Sequence, residues 1–234
     1  MLLPDASFVT NLASGLTKDR PQIEMLPRDL GLDSKSRLTI TPIPELESLR
    51  RPGRSRFTTL HGDPDDDASS LRVSDDAAPT GSLLDLRLNC TGRPTSTDGA
   101  VGVRVLIGEG GSTYTTVGFN YSSAELFIDH RKSSKQCPDR VTCGPEAIVQ
   151  TAPLQGGHDA DEGVQLTVML DNGLVEAYIN DRSVMSVWVT EVMNSTAAGS
   201  TPADRTAAPL TPPPGVSCRF ASHELAPLPP IPSR

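Results

Sequence analysis

The sequence predicts an all-β chain, an antiparallel two-sheet β-sandwich of jelly-roll-like type. Three observations predict it. Short runs between Ser82 and Phe220 alternate apolar and polar residues with a period of two. Turn signals separate these runs in consecutive order. No segment sustains a 3.6-residue period. Sheets built from such runs bury one face, so two antiparallel layers packed face to face account for the pattern.

Residues 1–25 show no period and are expected to be disordered or the remnant of a preceding module. Leu26 to Arg50, LPRDLGLDSKSRLTITPIPELESLR, reads as an interdomain linker: a Pro-punctuated approach, a β-branched run at Leu38–Thr41, two more prolines and an acidic segment. Residues 51–80 read as a polar loop, with a basic half meeting an acidic half. The sandwich is expected over 81–228. Leu84, Leu86 and Leu88 alternate with Asp85, Arg87 and Asn89, and Val101, Val103, Val105 and Ile107 repeat the pattern. Tyr114–Tyr121 follows a Glu-Gly-Gly-Ser turn and should form a hairpin with its predecessor; Ala124–Asp129 is the next strand. Val164–Leu170 and Leu174–Ile179 flank Asp171-Asn-Gly173, a pair-forming turn because Asn-Gly tolerates the positive φ of a type I′ turn. Ser183–Val189 and Gly215–Phe220 complete the set. Flexible inserts are expected at 132–161 and at 194–214, the latter rich in Ser, Thr, Ala and Pro, with a tail at 229–234.

Composition narrows the function. Of 234 residues, 36% are hydrophobic and 4% aromatic, so a real core is diluted by polar insertions. A net charge of −8 argues against a nucleic-acid partner, which needs a basic patch. No apolar run approaches the roughly 18–20 residues that span a bilayer, so no membrane is expected. The N-terminus does not read as a signal peptide: it has no basic start, and Pro4 and Asp5 break its apolar run.

Leu26-Pro-Arg-Asp followed by Thr41-Pro-Ile-Pro-Glu-Leu-Glu-Ser-Leu-Arg50 resembles the junction in glycoside hydrolase family 32, the family of invertases, inulinases, levanases and fructan exohydrolases. Tyr114-Thr-Thr-Val-Gly-Phe with Leu126-Phe-Ile-Asp129 is similar to a hairpin of that family's sandwich, which ends in Asp-Arg and then Ser-Gly; here His130 and Ser134 depart from it. Val175-Glu-Ala-Tyr-Ile-Asn180 resembles the family's Val-Glu-Val-Phe-Val-Asn strand, and Phe220–Leu228 its closing strand. The resemblance covers about Leu26 to Leu228, with gaps at the inserts. It implies that a five-bladed propeller carrying the catalytic groups is the natural partner, that the whole protein hydrolyses sucrose or fructans, and that it is secreted or vacuolar. Residues 1–25 would then be a remnant of the propeller.

Retaining hydrolysis of this kind needs a nucleophilic carboxylate and an acid/base carboxylate. The family takes them from Asn-Asp-Pro-Asn-like, Arg-Asp-Pro and Glu-Cys motifs, and none of the three occurs in this sequence. No catalytic residue is therefore assigned, and no cofactor or metal is implied. Asp63 in Gly62-Asp63-Pro64 lies in an acidic run and reads as solvated loop; Asp29 is followed by Leu, not Pro. Asp171 and Glu176, counted along one strand, would point to opposite faces. His61, His130, His158 and His223 lack metal-ligand spacing. Tyr114, Phe119, Tyr121, Phe127, Tyr178 and Trp188 read as inter-sheet core rather than a sugar-stacking platform, with Tyr121 the most exposed of them.

Two local features bear on compartment. Sequons stand at Asn89, Asn120 and Asn194. Cys137 and Cys143 are close enough for a local disulfide, and Cys90 and Cys218, on the first and last sandwich strands, are either bridged or two buried thiols. Three functions follow: a module supporting a fructosidase propeller, a free-standing carbohydrate-binding or protein-interaction sandwich, and an enzyme in its own right, against which the missing motifs stand.

Overall fold

The computed structural model describes residues 25–62, 79, 83–95, 99–108, 111, 113–133, 149–159, 161–171, 173–189 and 206–226. The alternating runs become strands of two antiparallel sheets, as their apolar halves require. One sheet has six strands in the order β11 (Ser183–Trp188), β10 (Leu174–Ile179), β9 (Val164–Asp171), β4 (Leu83–Gly92), β13 (Val216–Leu225) and β3 (Arg50–His61). The other has five: β12 (Thr206–Pro209), β5 (Ala100–Ile107), β6 (Thr115–Asn120), β7 (Glu125–Asp129) and β8 (Val149–Pro153). Leu84, Leu86, Leu88, Leu166 and Phe220 from the first sheet meet Val101, Val103, Val117, Phe119, Leu126 and Ile128 from the second, all essentially sealed from water. Among the described residues no helix is long and apolar enough to cross a membrane.

Turn chemistry sets the registers. The β10–β11 turn closes through Arg182 N donating to Ile179 O, with Asn180 and Asp181 both at positive φ (48° and 54°), the type I′ geometry that suits Asn and Asp. Gly102 and Gly118 face each other across β5 and β6. A Cβ on Gly102 would run into the Val117 carbonyl and the Gly118 backbone, so the strands approach there as only glycine allows.

Three expectations need correction. Residues 50–61, read as part of a polar loop, form the edge strand β3, so the sandwich begins at Arg50 rather than 81. An edge strand pairs on one side only, and most of β3 is exposed, so its Arg-rich sequence carries little apolar alternation. The inserts at 132–161 and 194–214 each contribute a strand, β8 and β12, again at sheet edges. The stretch 26–50 is not a bare linker. It folds into the hairpin β1 (Arg28–Leu32) and β2 (Leu38–Pro42), then a 3-10 turn at Pro44–Leu49.

Candidate functional site

The outer face of the six-stranded sheet carries the feature that matters most. Alternation sends Leu83, Asp85 and Arg87 of β4, Met169 of β9, Glu176 and Tyr178 of β10, and Leu225 of β13 away from the inter-sheet core. The hairpin and the 3-10 turn cover this patch. Leu26, Ile40, Leu46 and Leu49 pack on buried Met169, Tyr178 and Leu225, together with Leu83 and Val184, as a second, smaller core. Backbone bonds stitch it down: Ile40 N donates to Asp181 O (2.6 Å) and Ala226 N to Leu49 O (2.7 Å).

Two buried carboxylates fasten the layer. Glu176 is 0% exposed. Its Oε1 accepts the Leu26 amide at 2.9 Å, and its Oε2 accepts the Tyr178 hydroxyl at 2.7 Å and lies 3.3 Å from Arg28 Nη2. Arg28 also donates to Ser186 Oγ at 2.6 Å. Burial, and then the Glu176 charge and hydrogen bond, push the Tyr178 hydroxyl well above its ordinary range. Asp85 is held by Arg50, whose Nε and Nη2 reach its Oδ2 at 2.9 and 2.5 Å, while Arg87 Nε reaches Oδ1 at 3.3 Å. Glu47 of the 3-10 turn accepts from both arginines, and Arg50's charge, then the Arg87 hydrogen bond, hold its carboxyl below the usual range. A buried charge is tolerable only when paired and hydrogen-bonded, and both are.

The far end of the hairpin is tied to the loop between β8 and β9. Lys35 Nζ meets Asp159 at 2.7 Å, and the fully buried Arg182 donates to Gln155 O, Gly157 O and Glu162 Oε2, fixing that loop. Asp33 accepts the Lys35 and Arg37 amides and the Arg37 guanidinium, which hold its carboxyl low, the Arg37 amide foremost. While Arg28 and Ile40 are held inward, the hairpin leaves Leu30 and Leu32 67% and 71% exposed, with Leu38 exposed beside them.

The residues singled out from sequence fare differently. Asp63, Asn194, Cys137 and Cys143 lie outside the described residues. Asp171 and Glu176 share the outer face: the hairpin turn between them breaks the count along a single strand, which corrects the opposite-face expectation. They differ in burial, Asp171 being exposed and Glu176 sealed. Tyr178 is buried beneath the hairpin, not between the sheets, and Phe127 lies against Gly118 on the outer side of the five-stranded sheet. Phe119 is in the inter-sheet core; Tyr121 is half-buried against Phe119 and His158, and burial pushes its hydroxyl up to about 12. Cys90 and Cys218 are directly opposed across β4 and β13, with Cα atoms 4.0 Å apart, and form a disulfide. Asn89 is exposed on β4, and Asn120 is half-buried at the end of β6, where the turn to β7 begins. Sequence reasoning missed Asp85, Glu176, Arg50 and Arg182 as anchors. The signal was there in β10, where a Glu interrupts a run that is apolar on both faces, the mark of a strand covered twice.

Comparison with known proteins gives this architecture its family. The model of the C-terminal domain of glycosyl hydrolases family 32 matches residues 45–211, which is most of the chain. The chain belongs to that family. The family-32 match starts inside the 3-10 turn, so the β1–β2 hairpin lies outside it. Similar solved structures include an exo-inulinase from Aspergillus awamori (19% identity, TM-score 0.59, covering 86% of this chain and 35% of that one). A fructosyltransferase from A. japonicus has 18% identity and TM-score 0.59, with 88% and 32% covered. A β-fructofuranosidase from Aspergillus kawachii has 22% identity and TM-score 0.54, with 79% and 30% covered. At these identities the likeness is one of fold, and this family-32 chain spans about a third of the length of those proteins. No curated protein matches the sequence.

Proposed function

We propose that this chain is the non-catalytic sandwich of a β-fructofuranosidase-type hydrolase, and that its hairpin β1–β2 holds the five-bladed catalytic propeller. The observation that carries this is the fastened hairpin: Glu176, Asp85 and the second core lock residues 26–50 to the sandwich while Leu30, Leu32 and Leu38 face outward. An apolar group of this kind on a rigid element suits a neighbouring domain, and its fixed position sets the angle at which that domain sits. The two buried carboxylates are consumed by arginines and a tyrosine, so they supply neither nucleophile nor acid. Fructosyl transfer to water, from sucrose or a fructan, belongs to the propeller's carboxylate pair, about 5–5.5 Å apart in retaining enzymes. The Cys90–Cys218 disulfide supports passage through an oxidising compartment, in keeping with a secreted or vacuolar protein.

The test is sedimentation velocity with the propeller of the same gene product supplied separately, alongside fructose release from sucrose and inulin. Co-sedimentation that is lost in Leu30→Asp/Leu32→Asp, with no fructose released by the sandwich alone, is expected. Fructose release by the purified chain, or propeller binding indifferent to the two leucines, would overturn the reading.

A further inference from the structure

Among the described residues, the outer face of the six-stranded sheet is covered over only part of its area. Beyond Arg87 the layer of hairpin and 3-10 turn stops, and the next cross-strand row runs Gln165 on β9, Asn89 on β4, Arg219 on β13 and Thr59 on β3. All four are exposed, as is Thr91, two residues along β4 on the same face. One row nearer the layer, Phe57 is 74% exposed, a large aromatic ring left in water with His223 edge-on to it at 5.7 Å.

Asn89-Cys90-Thr91 is a sequon in the middle of this open area. Its two polar residues point outward while Cys90 points into the core, so the fold accepts a sugar on Asn89 Nδ2 without disturbing any packing. Asn120 is placed otherwise: it is half-buried, and its Oδ1 accepts the Ser122 amide and hydroxyl, both at 2.8 Å, and the Ser123 amide at 3.3 Å. The disulfide does not compete with the modification. Cys218 follows Cys90 by 128 residues, so during synthesis Asn89 enters an oxidising lumen long before Cys90's partner is made.

We infer that Asn89 carries an N-linked glycan, and that this glycan is the cover for the open part of the sheet, Phe57 included. The inference rests on the secretory reading above. Neighbouring strands lie about 4.8 Å apart and residues on one face repeat about every 6.8 Å along a strand, which puts Phe57 about 12 Å from Asn89 across the sheet. The first sugars of an Asn-linked chain span that distance. The bond formed is an N-glycosidic bond between Asn89 Nδ2 and the anomeric carbon of an N-acetylglucosamine, replacing that carbon's bond to the lipid pyrophosphate of a glycan donor, which leaves, while the amide proton is lost to base.

The experiment expresses the full chain behind a secretion leader in a eukaryotic host and analyses both the medium and the microsomal fraction. Peptide-N-glycosidase treatment in heavy-oxygen water should convert Asn89 to labelled Asp, and Thr91→Ala should abolish the label. Unmodified Asn89 in lumenal protein whose Cys90–Cys218 bridge has formed would overturn the assignment while leaving the family and docking readings intact. For the cover, retention on a hydrophobic-interaction column should rise when the glycan is removed, and Phe57→Ser should cancel that rise. Retention that ignores the glycan, or a rise that survives Phe57→Ser, would show that the sugar does not shield the ring.

Discussion

Glu176 accepts from three donors that come from two different layers, so its removal strands all of them. Glu176→Ala leaves the Leu26 amide, the Tyr178 hydroxyl and the Arg28 guanidinium without their partner. Breaking a buried pair in this way costs about 3 kcal/mol, at the low end because Arg28 keeps some contact with water. Tyr178→Phe removes one neutral-to-charged bond and should cost about 1.5 kcal/mol. Urea midpoints check both: the expected order is Glu176→Ala well below Tyr178→Phe below wild type, with unchanged slopes. Equal midpoints would mean that the hairpin layer adds nothing to stability. The histidines supply a second prediction at this scale. Burial, first among the causes, lowers the pKa of His130, His158 and His223 below the ordinary value near 6.5. The unfolded chain therefore binds more protons than the folded one as pH falls through that value, and stability is lost on the acid side. A Tm that declines from pH 7.5 to pH 5 is expected; a flat profile over that range contradicts it.

The strands differ in what holds them, and glycine substitutions separate the cases. Gly53, at φ +71° in the irregular part of β3, has open space around it, so Gly53→Ala should cost about 1 kcal/mol in backbone strain alone. Gly102 has no such space: a Cβ meets the Val117 carbonyl and the Gly118 backbone, so Gly102→Ala should cost about 2–3 kcal/mol. Comparing the two Tm shifts tests the close approach of β5 and β6. The same contrast explains what could be read from sequence. Central strands such as β4, β5 and β9 bury one face, so Leu84, Val101 and Leu166 announce them by alternation. Edge strands such as β3 and β8 pair on one side and bury little, so Arg50–His61 passed for loop. Arg51, Pro52 and Arg54 there are what keeps an edge from pairing with another chain, and charge and proline disguise a strand.

At the scale of the molecule, the described residues form three layers where the sequence shows two. The sandwich was legible because its two inner faces share one apolar pattern. The third layer was not, because its anchors are charged: Asp85 and Glu176 read as surface residues until the segment that covers them is in place. Their burial turns residues 26–50 from a tether into part of the folded body, and the docking proposal depends on that. Native-state hydrogen exchange tests it most directly. The amides of Leu26 and Ile40, donated to Glu176 Oε1 and Asp181 O, should be protected to nearly the same free energy as those of β10 beneath them. Exchange of these two amides at the rate of an exposed loop, with β10 still protected, would contradict a fastened third layer.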